Sequence, residues 1–256
     1  MANNMSSIGI LDINYSSVSV LNQLAAHFPN EVFYYLNDFN GAIFDEWGHR
    51  TLLEKIKEDT EALLANNPKL LIVLGNEYIE YAREYFASLE IPVINIVDMV
   101  IDDLNSCYAK KNIGLLIKPT IHQTNLYQRN INYLHYYQVD ATDLDRLVIN
   151  NKVKTGISFE VVKKALADLN RKSVDVLACT SCNQSLLTTE IKECLPKTVL
   201  VDVSSLLSTK IKEVLKESES THFSNKGKIN VINDNEFDDK HIKDLLKCKY
   251  YIKLKK

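Results

Sequence analysis

Few of the 256 residues belong to types that mark a special class of protein. There are seven glycines, five prolines and one tryptophan, and no glycine-rich phosphate loop follows any strand that the sequence predicts. We therefore expect no nucleotide cofactor. The apolar run at residues 8–11 is far too short for a membrane span, and residues 1–7 lack the basic start of a signal peptide. We expect neither a membrane anchor nor a secretion signal.

Cysteine and net charge are also low. Five cysteines at irregular spacing favour a reducing compartment over a disulfide framework, so we expect a cytoplasmic protein. A net charge of −3 and an isoelectric point near 6.1 give no reason to expect a nucleic-acid or membrane-surface partner. Cys179-Thr-Ser-Cys182 is a C-x-x-C motif, but no second such pair completes a zinc site. Dithiol redox chemistry remains a minor alternative, because the sequence upstream does not resemble a thioredoxin-like βα unit.

The apolar runs are short and alternate with amphipathic stretches, a pattern typical of βα units around parallel strands. Residues 113–117 (IGLLI) repeat residues 8–11 (IGIL), and residues 174–178 repeat residues 70–74. Gly9 and Gly75 lie 66 positions apart, and Gly114 and Cys179 lie 65 positions apart. Two similar pairs at nearly the same spacing predict a duplicated βαβ half in which Gly75 and Cys179 are equivalent.

The end of the chain is polar and rich in lysine. Residues 217–227 are predicted to form an exposed loop, and residues 228–232 to form a strand. Alternating lysines within residues 247–256 are typical of a terminal edge strand that is guarded against pairing. Binding of an anionic partner by this tail is the alternative.

Chemistry is expected where strands end, because ligands of open parallel sheets bind beyond the carboxyl ends of the strands. Cys179 ends a predicted strand just before a predicted helix at residues 183–194. A helix N-terminus lowers the pKa of a nearby thiol, so the position predicts a reactive Cys179. The alternative is a buried, inert cysteine. His122 also falls in a strand-end loop, where an ordinary loop histidine is the simpler interpretation.

Several short motifs occur in one order over nearly the whole chain. They are residues 8–12 (IGILD) before a serine-rich turn, Asn37-Asp38 with Trp47-Gly48, residues 74–77 (LGNE), Thr120-Ile121 with Tyr127, residues 178–180 (ACT) and residues 201–204 (VDVS). In these motifs and their order the chain resembles glutamate racemases. The resemblance implies an α/β fold of two similar domains, each a mostly parallel sheet flanked by helices, with the site in the cleft between them. It implies a first domain of residues 1–95 plus 208–256 and a second of residues 96–207.

The resemblance also implies a reaction without cofactor or metal. In glutamate racemases two thiols face each other across the substrate, and one removes the α-proton while the other delivers a proton to the opposite face. The expected ligand is a small acidic amino acid or a diacid, and a homodimer is an assembly that the family allows. Matched position by position, the resemblance implies that Cys179 and Asp12 are catalytic. It implies that the substrate is bound by Asn14, Asn76, Thr120, Thr180 and Ser181.

This sequence matches the family pattern at Asp12, Asn76, Thr120, Cys179 and Thr180 and departs from it elsewhere in the site. Gly75 stands where the first thiol is expected, Ile13 and Asn14 replace a Ser-Gly turn, Ser181 replaces a histidine, and Glu77 replaces a threonine. Racemisation would then need a substitute base, for which Glu77 and His122 are the candidates. A one-thiol decarboxylase or isomerase that uses Cys179 is one alternative. The other is a racemase relic that binds an acidic ligand or a protein partner without catalysis.

Overall fold

The computed structural model describes residues 7–13, 15–38, 49–217, 227–233 and 240–254. The chain divides into two compact units, one formed by residues 1–95 with 207–256 and the other by residues 96–206. Each unit contains one sheet whose described strands are all parallel. No helix in the described ranges has the length and apolar character needed to cross a membrane.

The first 95 residues alternate strands with helices, as the apolar pattern predicts. The elements are β1 (Ser7–Ile13), α1 (Val20–His27), β2 (Val32–Asp38), α2 (His49–Leu64), β3 (Pro68–Val73), α3 (Asn76–Ala87) and β4 (Val93–Asn95). β1 and β3 are buried along their whole length, as central strands of a parallel sheet covered on both faces should be. Their side chains therefore form the core of this unit, and only the strand ends are available for chemistry.

The second unit repeats this alternation. Its elements are α4 (Ile96–Cys107), β5 (Lys111–Ile117), α5 (Pro119–Thr124), β6 (Tyr133–Asp140), α6 (Thr142–Ile149), α7 (Gly156–Ala165), β7 (Val176–Cys179), α8 (Thr188–Cys194) and β8 (Val199–Val201). The single helix predicted at residues 183–194 is instead a short 3₁₀ helix, Asn183–Leu187, followed by α8.

The last part of the chain returns to the first unit. α9 (Val203–Glu217) begins in the second unit and ends in the first, and β9 (Lys228–Asn233), α10 (Lys240–Leu245) and β10 (Tyr250–Leu254) follow. The first sheet has the order β10-β9-β2-β1-β3-β4, and the second has the order β6-β5-β7-β8. The prediction of a lysine-rich edge strand is confirmed, since β10 is outermost in its sheet. Lys253 Nζ donates to the Tyr34 hydroxyl at 3.1 Å and lies over its ring.

The predicted internal repeat is confirmed by strand order, because β2-β1-β3-β4 and β6-β5-β7-β8 follow one plan. A glycine occupies the same position of the repeat in both units. Gly9 is paired with Leu71, and Gly114 with Leu177. A Cβ atom would lie 3.3 Å from the Leu71 side chain at Gly9 and 3.1 Å from the Leu177 side chain at Gly114. Glycine thus makes room for a leucine of the neighbouring strand in both units.

The equivalence of Gly75 and Cys179 that the spacing predicts within this repeat is wrong. Leu11 is paired with Val73, and Leu116 is paired with Cys179. Strand register therefore makes Cys179 equivalent to Val73, and Gly75 lies two residues further along the chain. Buried parallel strands have similar apolar sequences at every position, so spacing alone does not determine register.

Candidate functional site

Asp12 lies near the carboxyl end of β1, and its carboxylate is fully buried. It accepts four hydrogen bonds. Oδ1 accepts from the Ile13 backbone N–H at 2.8 Å and from Ser16 Oγ at 2.7 Å. Oδ2 accepts from the Ser17 backbone N–H at 2.9 Å and from the Tyr35 hydroxyl at 2.7 Å. Both carboxylate oxygens therefore accept from the turn that links β1 to α1, and Oδ2 also accepts from Tyr35 of β2.

These surroundings determine how Asp12 and Tyr35 titrate. Burial raises the pKa of Asp12, and the four donated hydrogen bonds oppose that rise only in part. Burial, followed by the neighbouring Asp12 charge, raises the pKa of Tyr35 well above 10. Tyr35 therefore stays protonated and acts as a donor. The geometry favours Asp12 as the residue that holds the turn, and its catalytic role remains a prediction.

The turn after β1 is also held from β2. Asn37 is paired with Asp12 in strand register, and its Oδ1 accepts from the Tyr15 backbone N–H at 2.7 Å. Tyr15 has a φ of 53°, an uncommon left-handed conformation for a residue with a side chain. Asn14, expected to bind substrate, lies outside the described residues, as does the Trp47-Gly48 pair.

Gly75 precedes α3 and has an extended backbone, with φ −79° and ψ 121°. Any residue can adopt this conformation, so the backbone does not require glycine here. The neighbouring side chains do. A Cβ atom at Gly75 would lie 2.5 Å from Cδ2 of the Tyr78 ring and 3.0 Å from Cγ2 of Ile13. Tyr78 is fully buried, and its hydroxyl donates to the Asp12 carbonyl oxygen at 3.3 Å.

Tyr78 therefore occupies the space into which a side chain at Gly75 would point. The sequence did not predict a role for Tyr78 in the site, because a tyrosine in a helix is usually an ordinary core residue. The usable signal was its position, one helical turn after a strand-end glycine. Asn76 and Glu77 begin α3; Asn76 is half-buried and Glu77 is buried. The helix dipole favours a carboxylate in this first turn, which accounts for Glu77 without catalysis.

In the second unit Cys179 is the last residue of β7 and is fully buried. Burial raises its pKa well above the usual range, and the charges of Asp202, Cys182 and Asp145 raise it further. The prediction of a thiol activated by a helix N-terminus is therefore wrong. Only a short 3₁₀ helix follows Cys179, and the charged neighbours that act on it are carboxylates rather than cations. Cys182 forms no disulfide and is also fully buried, which disfavours exchange with a redox partner.

The two residues after Cys179, Thr180 and Ser181, form hydrogen bonds with other buried groups of the protein. The Thr180 backbone N–H donates to Gln184 Oε1 at 2.9 Å, and its hydroxyl donates to the Leu116 carbonyl oxygen at 2.6 Å. Ser181 Oγ donates to Asp145 Oδ1 at 3.4 Å, and Gln184 Nε2 donates to the same oxygen at 3.2 Å. Thr180, Ser181 and Gln184 are buried, so this loop is held by its own network. No sequence pattern indicated a role for Gln184 or Asp145.

Asp202 precedes α9 and accepts hydrogen bonds from its first turn. Its Oδ1 accepts from the Ser204 backbone N–H at 3.0 Å and from the Ser185 hydroxyl, and its Oδ2 accepts from Ser205 Oγ at 2.9 Å. Ser204 Oγ donates to the Cys182 carbonyl oxygen at 3.3 Å. An N-cap carboxylate of this kind stabilises a helix, and here it also ties the loop after β7 to α9.

Thr120 and His122 lie on α5, which follows β5. Both are exposed, whereas Tyr127 after the helix is buried. The structure thus places Cys179, Thr180 and Ser181 at the end of one strand of the second sheet, and Thr120 and His122 beyond its neighbour. Asp12, Asn76 and Glu77 belong to the first unit. Among the described residues, no group of three or more Cys, His, Asp or Glu side chains is arranged to hold a metal ion.

Comparison with known proteins places this fold in one class. No family model matches the chain. The structure of a glutamate racemase from Thermus thermophilus in complex with beta-chloro-D-alanine superimposes with a TM-score of 0.84 at 16% identity, over 98% of this chain and 97% of that chain. The glutamate racemase from Francisella tularensis in complex with D-glutamate gives a TM-score of 0.81 at 16% identity, covering 98% and 97%. An aspartate racemase from Picrophilus torridus gives 0.58 at 15% identity, covering 84% and 95%. The predicted fold class is confirmed as that of the aspartate/glutamate racemases.

In sequence, the chain is similar to glutamate racemases. The chain is 25% identical over 220 residues to the glutamate racemase of Sulfurihydrogenibium sp. (strain YO3AOP1), covering 84% of this chain and 85% of the relative. It is 24% identical over 207 residues to that of Gloeothece citriformis, covering 77% and 72%. The chain is therefore similar in sequence to glutamate racemases at about 25% identity, and it shares their fold.

Proposed function

We propose that this chain is a glutamate-racemase-like protein that has lost two-thiol racemisation and binds a small acidic amino acid or a diacid without turnover. The observation that carries the proposal is the Tyr78 ring, which fills the side-chain space at Gly75. Gly75 is the position where the family resemblance expects the first thiol. An aromatic ring held by a hydrogen bond to the Asp12 carbonyl oxygen takes the place of an acid–base group.

Inversion at an α-carbon needs an acid and a base on opposite faces, because one residue on one face returns the proton to the side it came from. A positioned acid or base contributes roughly 10²–10⁴-fold to such a rate. The first unit contains no cysteine except Cys248, and β10 follows that residue at the edge of the sheet. Loss of the group at Gly75 is therefore expected to remove racemisation rather than to slow it slightly.

The state of Cys179 supports the same conclusion. A fully buried thiol with a raised pKa remains protonated at neutral pH, and a protonated thiol cannot remove an α-proton. It can still donate a proton, so one-sided protonation by Cys179 is the second candidate function. That candidate corresponds to a one-thiol decarboxylase or isomerase.

The ligand class follows from the relatives. The Francisella tularensis glutamate racemase, which shares this fold, was solved with D-glutamate. We therefore assign a small acidic amino acid or a related diacid as the ligand of this chain, with no cofactor. Glu77 and His122 are the residues to mutate if turnover is found after all.

The test is incubation with L-glutamate, D-glutamate and both aspartate enantiomers in D₂O, with the α-proton followed by NMR and inversion by circular dichroism. We expect neither exchange nor inversion, together with a rise in melting temperature on adding one of these ligands. A ligand at 100 times its Kd stabilises by about 2.7 kcal/mol. Inversion would refute the proposal.

Exchange without inversion would instead show that a base removes the α-proton on one face, which would refute binding without turnover. Cys179→Ala then tests whether Cys179 is that base: loss of the exchange would favour a one-thiol enzyme and would contradict the inference drawn here from the raised pKa of Cys179. Cys107→Ala, at an exposed thiol, should leave the exchange unchanged. The absence of both exchange and ligand stabilisation would refute the binding role for these four amino acids.

A further inference from the structure

A cavity of about 730 Å³ lies in the second unit, at the amino ends of β5, β7 and β8. Lys111 and Val199 line it at the first positions of β5 and β8, and residues 173–176 line it where the chain enters β7. Val176 begins β7 and Cys179 ends it, whereas chemistry was predicted at the carboxyl ends of these parallel strands. The cavity is therefore a separate place from the candidate functional site.

The inner wall of the cavity is apolar. Leu169, Val174, Val176 and Leu195 line it and are buried, whereas Val199 lines it with 46% of its surface exposed. Cavities of about 300–1,000 Å³ with mostly apolar walls and a few polar groups are typical of small-molecule sites. Covering exposed apolar surface is favourable, so an apolar group would gain free energy by entering this cavity.

Three exposed lysines also line the cavity, namely Lys111, Lys172 and Lys197. Within the described ranges, none of them forms an ion pair with a carboxylate. Asp175 is the one carboxylate among the described lining residues, and its Oδ2 accepts from the Asn112 backbone N–H at 2.8 Å. Three cations beside one carboxylate give the cavity a positive potential that attracts anions.

Helix ends account for part of this charge. A helix dipole favours cations at the C-terminus, and the effect falls off within the last turn. Lys172 directly follows the 3₁₀ helix Leu169–Arg171, and its Nζ lies 4.7 Å from the centre of the Tyr137 ring. Lys111 and Lys197 instead lie four and three positions beyond the last residues of α4 and α8. The helices alone therefore do not explain why these two lysines meet at one cavity.

We propose that this cavity binds an amphipathic anion, a small molecule with an apolar body and a carboxylate or phosphate head group. The apolar wall takes the body, and the lysines take the head group, because ammonium groups bind carboxylate and phosphate as compact point charges. The site lies at the opposite ends of the strands from Cys179. Its occupation is therefore independent of the acidic ligand proposed above and of any turnover.

The experiment is isothermal titration calorimetry with three probes that share one alkyl chain: octanoate, octyl phosphate and neutral 1-octanol. We expect both anions to bind, with one molecule per chain, and 1-octanol to bind at least about tenfold more weakly. The tighter of the two anions identifies the head group as carboxylate or phosphate. Failure of both anions to bind, or binding of 1-octanol as tightly as the anions, would overturn the proposal.

Lysine variants test whether the charge acts at the cavity. Lys111→Met with Lys197→Met should weaken both anions at least about tenfold and leave 1-octanol unchanged. The matched control is Lys163→Met with Lys164→Met, which removes the same charge from exposed positions of α7 in the same unit. Equal weakening in the two double variants would show only a general attraction of anions to the protein and would contradict the proposed site.

A further measurement tests the location without any variant. Cys107 is exposed and lines the cavity, so bound octyl phosphate should slow its alkylation by iodoacetamide, a neutral reagent. The half-buried Cys248 belongs to the first unit and should react at an unchanged rate. Peptide mass spectrometry after timed labelling measures both thiols. Binding of octyl phosphate that leaves the alkylation rate of Cys107 unchanged would place the ligand elsewhere and refute the proposal.

Discussion

The Tyr78 hydroxyl donates to the Asp12 carbonyl oxygen at 3.3 Å, and this bond holds the tyrosine ring against Gly75. The ring comes from the first turns of α3 and the carbonyl from the end of β1. Two strand ends that are neighbours in the sheet are thereby joined through one aromatic side chain. The glycine at position 75 is a consequence of that ring, because its own backbone conformation suits any residue.

Gly75→Cys should therefore destabilise the protein rather than restore a racemase. The new Cβ would meet the Tyr78 ring at 2.5 Å, and overpacking of this kind costs about 1–3 kcal/mol. Urea unfolding measures the loss. Gly156→Cys is the matched control, because a Cβ there meets nothing within 4 Å.

A double-mutant cycle separates the clash from other effects of the cysteine. Tyr78→Ala alone should cost about 3–5 kcal/mol through the cavity it leaves. The combination with Gly75→Cys should be more stable than the sum of the two losses, because the cysteine then occupies the vacated space. Additive losses, or a Gly75→Cys variant as stable as the wild type, would contradict the role given to Tyr78.

Tyr35→Phe should destabilise the turn after β1. Removing the hydroxyl deprives the buried Asp12 carboxylate of one of its four donors, and a hydrogen bond to a charged group contributes about 1.5–3 kcal/mol. Tyr34→Phe is the control, because the Tyr34 hydroxyl accepts from the exposed Lys253 side chain and its loss should cost much less. Equal losses of unfolding free energy in the two variants would show that the Tyr35–Asp12 hydrogen bond stabilises the protein no more than the exposed Lys253–Tyr34 contact does.

The sequence predicted the strand–helix alternation and the duplicated halves, because both follow from apolar periodicity. It also predicted the edge strand at the end of the chain from its alternating lysines. It did not predict the register of β7 against β5, since Val176, Leu177 and Ala178 are equally apolar and suit several registers. The internal repeat could be inferred from pattern, whereas register needed the packed leucines beside Gly9 and Gly114.

The chemistry of the strand ends was harder to predict for a different reason. The pKa of Cys179 depends on burial and on Asp145 and Asp202, which are distant from it in sequence. The space at Gly75 depends on a side chain three residues later whose direction only the fold determines. Residue types at strand ends thus indicated where to look, but the burial and charge that decide reactivity come from tertiary contacts.

The cysteines should differ in their reaction with iodoacetamide in the folded protein. Cys107 is exposed and should be alkylated rapidly, whereas Cys179 and Cys182 are fully buried and should react only after unfolding. The thiolate is the reactive form, and the pKa of Cys179 is raised, so moving from pH 7 to pH 9 should not speed its alkylation. Peptide mass spectrometry after timed labelling measures all three. Alkylation of Cys179 at the rate of Cys107 would contradict its burial.

The same raised pKa of Cys179 predicts a loss of stability in alkaline solution. The unfolded chain releases the Cys179 proton above about pH 8.5, whereas the folded chain retains it. The unfolded state then binds fewer protons, so the free energy of unfolding falls as pH rises, by up to about 1.4 kcal/mol per pH unit. Urea unfolding from pH 7 to 9.5 should show a shallower decline for Cys179→Ala than for Cys107→Ala. Identical slopes would contradict the prediction.

Loss of either partner alone from the buried ion pair between Lys69 and Glu31 should strongly destabilise the protein. Lys69 Nζ lies 2.8 Å from Glu31 Oε1, and both side chains are largely out of solvent. Lys69→Met would leave a buried carboxylate without its cation, a change that costs about 3–5 kcal/mol. The double variant Lys69→Met with Glu31→Gln should recover most of that loss, because no charge is then left unpaired.

The exposed pair Lys210–Glu213, at 3.3 Å and about half in solvent on both sides, is the control for this cycle. Lys210→Met should cost about 0–1 kcal/mol, since solvent screens exposed pairs. Free energies of unfolding in urea for these three variants and the wild type measure both effects. If Lys69→Met cost no more than Lys210→Met, the ion pair would have no role in holding β3 beside the segment that leads into β2.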